Sequence, residues 1–204
     1  MLQYIEFGGD AMKTIEELEI FAKDNYVPIA RRDVVAFLSK LIKDNNYKSI
    51  LEIGTAIGYT SISLALVSKD IRITTVEKNI EMFKIANQNF LDFNVNKQIR
   101  NIHEDAILFY PDKKYDLIFI DASKKRNKYF FERFSKSLLP NGTIIVDNMN
   151  LEDLWVDAVQ KKKDKYQKVN EDFIEYLHSL EDYDVDVRYE VGDGIAIVRR
   201  KENV

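Results

Sequence analysis

Hydrophobic residues recur at two different spacings along the chain. Between residues 11 and 45 they recur every three or four positions, which predicts two helices separated by the extended segment Val27-Pro28-Ile29. From Ser49 onward, short apolar runs alternate with helical patterns. The predicted strands are residues 49–53, 72–77, 101–104, 117–121, 143–147, 185–189 and 195–198. The helices predicted between them are residues 60–67, 80–93, 128–138 and about 151–180.

Strands of nearly continuous apolar character separated by helices are typical of a parallel sheet with helices on both faces. Residues 190–194 are too few for a crossover helix, so they predict a hairpin that adds one antiparallel strand. We therefore predict an α/β fold with a seven-stranded, mostly parallel sheet. Its single domain spans residues 1–204, with a helical segment at 1–48 and the α/β core at 49–204.

The composition excludes or disfavours several kinds of catalytic and metal site. The chain has no cysteine, which excludes disulfides, thiolate nucleophiles and cysteine zinc sites. Only His103 and His178 are present, which disfavours a histidine-rich metal site or a serine-protease triad. No apolar run approaches the roughly 18 residues that span a bilayer, and the first residues lack a signal-peptide pattern. We expect a cytoplasmic protein without membrane partners.

The net charge of -4 argues against binding nucleic acid through bulk charge but allows a local basic surface. Basic residues are clustered, and any one cluster could simply be a solvated surface. The clusters are Arg31 with Arg32, Lys124 to Arg126 with Lys128, Lys161 to Lys168, and Arg199 to Lys201.

A glycine-bearing turn follows the first predicted strand. Gly54 and Gly58 allow a sharp turn and close approach of a ligand, and the next helix begins with unpaired N–H groups. The spacing is neither G-x-G-x-x-G nor that of a phosphate-binding P-loop, so alone it is a weak sign of a nucleotide site.

Acidic residues follow the next two strands, at the sheet edge where open α/β folds bind ligands. Glu77 is placed to accept hydrogen bonds from both hydroxyls of a ribose, or it is a helix N-terminal charge for a helix starting near Asn79. Asp105 could face an adenine amino group, or it is an N-cap.

Oxygen-bearing side chains also follow the fourth and fifth strands. Asp121, Asp147 and Asn148 offer hard ligands that suit Mg²⁺ and suit zinc badly. Lys124, three residues after Asp121, is a candidate proton acceptor, because a nearby cation disfavours its ammonium form. The alternative is a basic surface residue like its neighbours Lys125 and Arg126.

Three segments, residues 51–61, 120–124 and 146–148, resemble those of the cation-dependent O-methyltransferases, which include catechol and caffeoyl-CoA methyltransferases. The resemblance runs from about Val27 to Arg200 and implies a Rossmann-like fold that binds S-adenosylmethionine (SAM). It implies Mg²⁺ or another hard divalent cation at Asp121, Asp147 and Asn148, with Asp121 and Lys124 in the catalytic centre. Family members are often homodimers, and we expect the same here. The SAM-binding residues it implies are Val27, Glu52, Gly54, Thr55, Gly58, Tyr59, Ser61, Glu77, Asp105, Ala106 and Asp121.

Residues 22–29 and 191–197 further resemble segments of the bacterial tRNA 5-hydroxyuridine methyltransferases. This likeness implies an acceptor in the tRNA anticodon loop, at the wobble uridine. The candidate RNA contacts are the basic residues Arg31, Arg32, Lys125, Arg126 and Lys128, and the candidate stacking groups are Tyr59, Tyr129 and Trp155, of which Trp155 could instead be helix packing.

Two departures leave the acceptor open. Asn127 stands where the family usually has a tyrosine, and the segment after Asn148 is charged and lacks the expected glycines. Both departures are expected near the acceptor's entrance. The alternatives are a small catechol-like phenol as acceptor, although we find no long hydrophobic insertion to enclose one, and a nucleotide-binding module without catalysis. The missing G-x-G-x-x-G disfavours a nicotinamide dehydrogenase.

Overall fold

The structure is a computed structural model that describes residues 14–150 and 160–201. Strands and helices alternate after the two N-terminal helices, as the hydrophobic pattern predicts. The strands are β1 (Ser49–Ile53), β2 (Arg72–Glu77), β3 (Ile99–His103), β4 (Tyr115–Ile120), β5 (Leu138–Asp147), β6 (Tyr183–Arg188) and β7 (Ile195–Arg200). The helices are α1 (Ile15–Asp24), α2 (Arg32–Asn45), α3 (Tyr59–Ala65), α4 (Ile80–Asp92), α5 (Asn127–Phe134) and α6 (Gln160–His178), with short 3₁₀ turns at Lys124–Arg126 and Ser135–Ser137.

The sheet has the strand order β3-β2-β1-β4-β5-β7-β6. The first five strands are parallel, and β7 runs antiparallel to both β5 and β6. The predicted seven-stranded, mostly parallel sheet with one antiparallel strand is therefore confirmed. Because the strand order reverses between β1 and β4, a crevice opens beyond their carboxyl ends, where such sheets bind ligands.

Alternate residues of each central strand pack against opposite layers. Ile50 and Phe119 belong to the layer that contains α1, α2, α3 and α4, whereas Leu51 and Ile118 belong to the layer that contains α5 and α6. This period of two follows from strand geometry. It explains why the strands are apolar on both faces, and it confirms the prediction that helices cover both faces of the sheet.

The predicted helix 128–138 is wrong in its last residues. The α-helix ends at Phe134, and Leu138 already pairs with Tyr115 in the sheet. Pro140 lies two residues further on, and proline cannot continue a helix. Of the long helix predicted at 151–180, residues 160–178 are helical and residues 151–159 lie outside the described part of the chain. Across residues 14–150 and 160–201, no helix has the length and apolar character to cross a bilayer.

Candidate functional site

A cavity of about 550 Å³ opens at the carboxyl ends of the parallel strands. All five parallel strands contribute to its wall, each through a residue at or just after its end. These residues are Gly54, Glu77, Asp105, Asp121 and Asp147. The sequence pattern placed them at one sheet edge, and the structure brings all five into one cavity.

The turn after β1 brings the ends of two strands close together. Gly54 has φ +104°, and a Cβ at this position would overlap the carbonyl oxygen of Asp121. Only glycine tolerates both the backbone angle and that approach. The turn is held from β2, since the Thr55 and Thr75 hydroxyls lie 2.6 Å apart.

Three predicted cofactor residues, Glu52, Gly58 and Ser61, do not line the cavity. Glu52 and Ser61 are buried behind the turn, where the Ser61 hydroxyl donates to the Glu52 carboxyl group, and the Thr75 hydroxyl donates to it at 2.6 Å. Burial raises the pKa of Glu52 to about 8. Both residues therefore support the turn from inside the protein.

Helix geometry explains the misplacement of Ser61. Gly58 precedes the first residue of α3, and consecutive helical residues point about 100° apart. Thr60 consequently lines the cavity while Ser61 faces the core. Thr60 is not among the predicted cofactor residues, because the sequence pattern places a helix start there without a direction for its side chains.

The carboxylate of Glu77 is fixed by two backbone donors. It accepts hydrogen bonds from the N–H of Ala56 at 3.0 Å and from the N–H of Asn79 at 2.8 Å. Asn79 caps α4, so Glu77 lies beside the helix start as well as on the cavity wall. Asp105 likewise accepts a hydrogen bond from Ile107 N–H at 3.0 Å while lining the cavity. Its neighbour Ala106 also lines the wall, as predicted for a cofactor contact.

Residues 27–31 also line the cavity, and Val27, a predicted cofactor contact, is among them. Beside them, the hydroxyl of Tyr59 donates to Glu19 at 2.7 Å, and the Arg32 guanidinium donates to the same carboxylate. This guanidinium lowers the pKa of Glu19, and burial raises the pKa of Tyr59. The turn after β1 is thereby tied to α1 and α2.

Arg31 and Arg32, which were both predicted to contact RNA, are paired with acidic residues. Arg32 pairs with Glu19, and Arg31 pairs with Asp193 at 2.5 Å. Their charges are thus compensated within the chain, and Arg31 and Asp193 together join the cavity wall to the hairpin before β7.

The three predicted cation ligands meet at one end of the cavity. Asp121, Asp147 and Asn148 all line it, and the Asn148 amide nitrogen lies 3.2 Å from Asp121 Oδ1. Turning this amide over presents its oxygen to the same space. The described residues contain no cluster of three His, Cys, Asp or Glu side chains, so the third ligand would be the amide. Two carboxylates and one amide fit a hard divalent cation.

The turn that carries these ligands is held from two sides. Asn148 has φ +68°, a left-handed conformation that non-glycine residues adopt rarely. Asn170 of α6 donates to the carbonyl oxygens of Asn148 and Met149, at 2.9 and 3.1 Å. From the hairpin, the Gly194 carbonyl oxygen accepts from Met149 N–H at 2.9 Å. Sequence reasoning missed Asn170, because nothing in a helical pattern marks one of its polar residues as a support.

A basic surface borders this end of the cavity. Arg126 lines the cavity, and the ammonium groups of Lys125 and Lys128 lie over the rings of Tyr166 and Tyr176, 5.2 and 4.0 Å from the ring centres. Lys124 begins the 3₁₀ turn three residues after Asp121, and its side chain lies outside the described part of the structure.

Three further sequence predictions can be placed. Tyr129 is 41% exposed and donates to the carbonyl oxygen of Ile107 at 3.3 Å, beside the Asp105 wall. Asn127 is buried at the start of α5 and does not itself line the cavity, whereas its neighbour Arg126 does. Trp155 lies outside the described residues.

Comparison with known proteins gives a consistent family. A sequence model of the O-methyltransferase family matches residues 6–201. A caffeoyl-CoA O-methyltransferase of Medicago sativa is 30% identical over 94% of this chain and 82% of its own length.

Solved structures agree. A Staphylococcus aureus protein, provisionally assigned as a caffeoyl-CoA O-methyltransferase, is 37% identical with a TM-score of 0.82 over 92% of both chains. An O-methyltransferase of Bacillus cereus, solved in complex with SAH (S-adenosylhomocysteine), is 25% identical with a TM-score of 0.77, over 97% of this chain and 94% of that one.

Proposed function

This chain belongs to the O-methyltransferase family, and on that premise we propose that it methylates the 5-oxygen of 5-hydroxyuridine at the wobble position of tRNA, with a divalent cation. The coarser activity follows from the family: the chain is a SAM-dependent O-methyltransferase of the caffeoyl-CoA type. The tRNA acceptor and the cation are the parts that we propose.

The donor half of the cavity suits an adenosyl group. Glu77 presents carboxylate oxygens already oriented by two backbone N–H groups, which suits acceptance of hydrogen bonds from ribose hydroxyls. Asp105 and Ala106 line the neighbouring wall, where an adenine would meet a carboxylate and an apolar surface. Gly54 lets the donor approach the backbone closely.

The acceptor half suits a pair of adjacent oxygens. Asp121, Asp147 and Asn148 would hold the cation at the end of the cavity that Arg126 also lines. A bound divalent cation lowers the pKa of a coordinated hydroxyl, which methyl transfer requires because the attacking oxygen must be deprotonated. We assign Lys124 as the proton acceptor from its place in the sequence, three residues after Asp121.

We choose RNA as the acceptor because basic residues lie beside the ligand carboxylates. In 5-hydroxyuridine the hydroxyl lies next to the C4 carbonyl, an oxygen pair like that of a catechol, so the ligand set serves both acceptors. Arg126 at the cavity wall and the exposed Lys125 and Lys128 beside it offer cations to phosphates. A free catechol-like phenol has no phosphate for them to bind.

A catechol-like phenol is the second candidate, because the Medicago relative is named for caffeoyl-CoA, in which a catechol is joined to coenzyme A. Purified protein is incubated with labelled SAM and either tRNA carrying 5-hydroxyuridine or a catechol, each with Mg²⁺ and with chelator. We expect label in the tRNA that chelator abolishes. Label in the catechol alone overturns the RNA acceptor, and full transfer in chelator overturns the cation.

Asp147→Ala tests the ligand assignment separately. It should abolish transfer while SAM affinity stays within a few-fold of wild type, since Asp147 lies at the acceptor end. Loss of SAM binding by a folded variant would assign Asp147 to the wrong role.

A further inference from the structure

Three helices end in the same backbone geometry. In each, a left-handed residue follows the helix, and the N–H of the next residue donates to a carbonyl oxygen five positions earlier. These donors are Val27, Tyr47 and Val95, which bond to Ala22, Ile42 and Phe90 at 2.8, 3.0 and 3.0 Å. The left-handed residues that precede them have φ angles of 53° for Tyr26, 53° for Asn46 and 56° for Asn94.

The residue at the left-handed position is not of the same type at the three helix ends. This C-terminal capping position is most often glycine and next most often asparagine, because the left-handed conformation crowds a Cβ. The chain follows the rule after α2 and α4, with Asn46 and Asn94. After α1 it has Tyr26, which gains nothing from the backbone conformation that it adopts.

Packing does not explain the tyrosine either. Tyr26 is 94% exposed, the largest exposure among the large hydrophobic side chains of the described residues. Within residues 14–150 and 160–201, its hydroxyl has no hydrogen-bond partner and its ring has no aromatic or cationic neighbour. An aromatic ring held fully in water at an unfavourable backbone angle contributes little to folding.

The position of Tyr26 suggests what the ring is for. Its backbone is pinned on both sides, by its own N–H to Lys23 and by that of the buried Val27 to Ala22. Residues 27–31 then run directly along the cavity wall. Tyr26 therefore does not line the cavity itself, but its exposed ring is attached to a fixed stretch of backbone immediately before residues that do.

We propose that Tyr26 binds the RNA acceptor by stacking on a nucleobase next to the methylated uridine. The inference rests on the proposed function, in which the acceptor is an RNA that extends beyond the cavity. Exposed aromatic rings bind unstacked bases in this way, with little dependence on base identity. A small phenol held inside the cavity would not contact Tyr26, which does not line it.

Tyr26→Asn makes this helix end like the other two. Because it relieves the left-handed tyrosine, we expect an unchanged or slightly higher melting temperature, by about 2 °C. We expect the Kd and the KM for tRNA to rise between about 5-fold and 150-fold, the range of one lost base stack. The KM for SAM and transfer to a catechol should not change. Tyr26→Phe, which keeps the ring, should stay within about twofold of wild type for tRNA.

Asn94→Gly is the matched control, since it eases the same backbone position on α4. It should leave tRNA binding unchanged. Equal Kd values for tRNA in wild type and Tyr26→Asn, measured by fluorescence anisotropy, would overturn the inference, as would an equal loss of transfer to tRNA and to catechol.

The two proposals fail in different ways. If tRNA binds and Tyr26→Asn weakens that binding while wild type transfers no label, the stacking role stands and the acceptor assignment falls. If wild type does not bind tRNA at all, both fall.

Discussion

The side-chain amide of Asn170 donates a hydrogen bond to the carbonyl oxygen of Asn148 at 2.9 Å, so α6 fixes the backbone of a candidate cation ligand. The same amide reaches the carbonyl oxygen of Met149. Asn170 itself is 4% exposed, and Asn148 has φ +68°. A left-handed residue of this kind persists only where its surroundings hold it, and Asn170 is one of the groups that do so.

Asn170→Ala should therefore weaken cation binding. Two carbonyl oxygens lose their donor and the ligand turn is freed, so we expect the affinity for Mn²⁺, measured by electron paramagnetic resonance, to fall about 10- to 100-fold. The affinity for SAM should stay within a few-fold of wild type. An unchanged Mn²⁺ affinity would show that α6 does not position the ligand.

Asn89→Ala provides the converse control. Asn89 is also a buried amide, but it donates to the Ile57 carbonyl oxygen at 2.8 Å, in the turn after β1 that lines the proposed SAM site. Its loss should weaken SAM binding and spare the cation. If both variants lose both ligands equally, the effect is general destabilisation.

Glu77→Gln should lower the affinity for SAM about tenfold or more. The substitution removes the charge and places an amide NH₂ against a backbone N–H, either that of Ala56 or that of Asn79, which now face carboxylate oxygens. Isothermal titration with SAH measures the change. Wild-type affinity in this variant would mean that Glu77 only supports the start of α4.

Gly54→Ala should destabilise the protein by about 2 kcal/mol or more and impair SAM binding, since the new Cβ overlaps the Asp121 carbonyl oxygen. Denaturant unfolding gives the stability. Ala56→Gly, at φ +47° in the same turn, is the control and should be neutral or stabilising by about 0.5 kcal/mol. Normal stability of Gly54→Ala would require the two strand ends to be further apart than described.

Glu52→Gln should make stability less dependent on pH. Burial raises the folded-state pKa of Glu52 to about 8 from an ordinary 4.5. Between these values the folded protein binds a proton that the unfolded chain releases, so the free energy of unfolding falls as pH rises from about 4.5 to about 8. Glutamine does not titrate.

The variant should accordingly gain stability relative to wild type across that interval, on the order of a few kcal/mol by its upper end. Urea unfolding at pH 5 and pH 8 measures the difference. A constant difference between the two proteins would mean that Glu52 has an ordinary pKa in the folded state.

Local patterns predicted the parts of the molecule that depend on neighbours in sequence. Apolar runs gave the strands, and their alternation with helices gave the parallel sheet. That topology alone places Gly54, Glu77, Asp105, Asp121 and Asp147 at one edge, because the carboxyl ends of parallel strands lie together. The end of α5 was misplaced, since helix boundaries depend on where the next strand begins to pair.

The sequence by itself determined the order of strands and helices and which polar residues reach the carboxyl edge of the sheet, because both follow from spacing along one chain. Only the tertiary structure decided the direction in which each side chain points and what supports it. It turned Thr60 toward the cavity and Ser61 into the core, paired Arg31 with Asp193, and placed Asn170 behind Asn148. These contacts join segments far apart in sequence, and burial and pairing across such distances leave no periodic pattern.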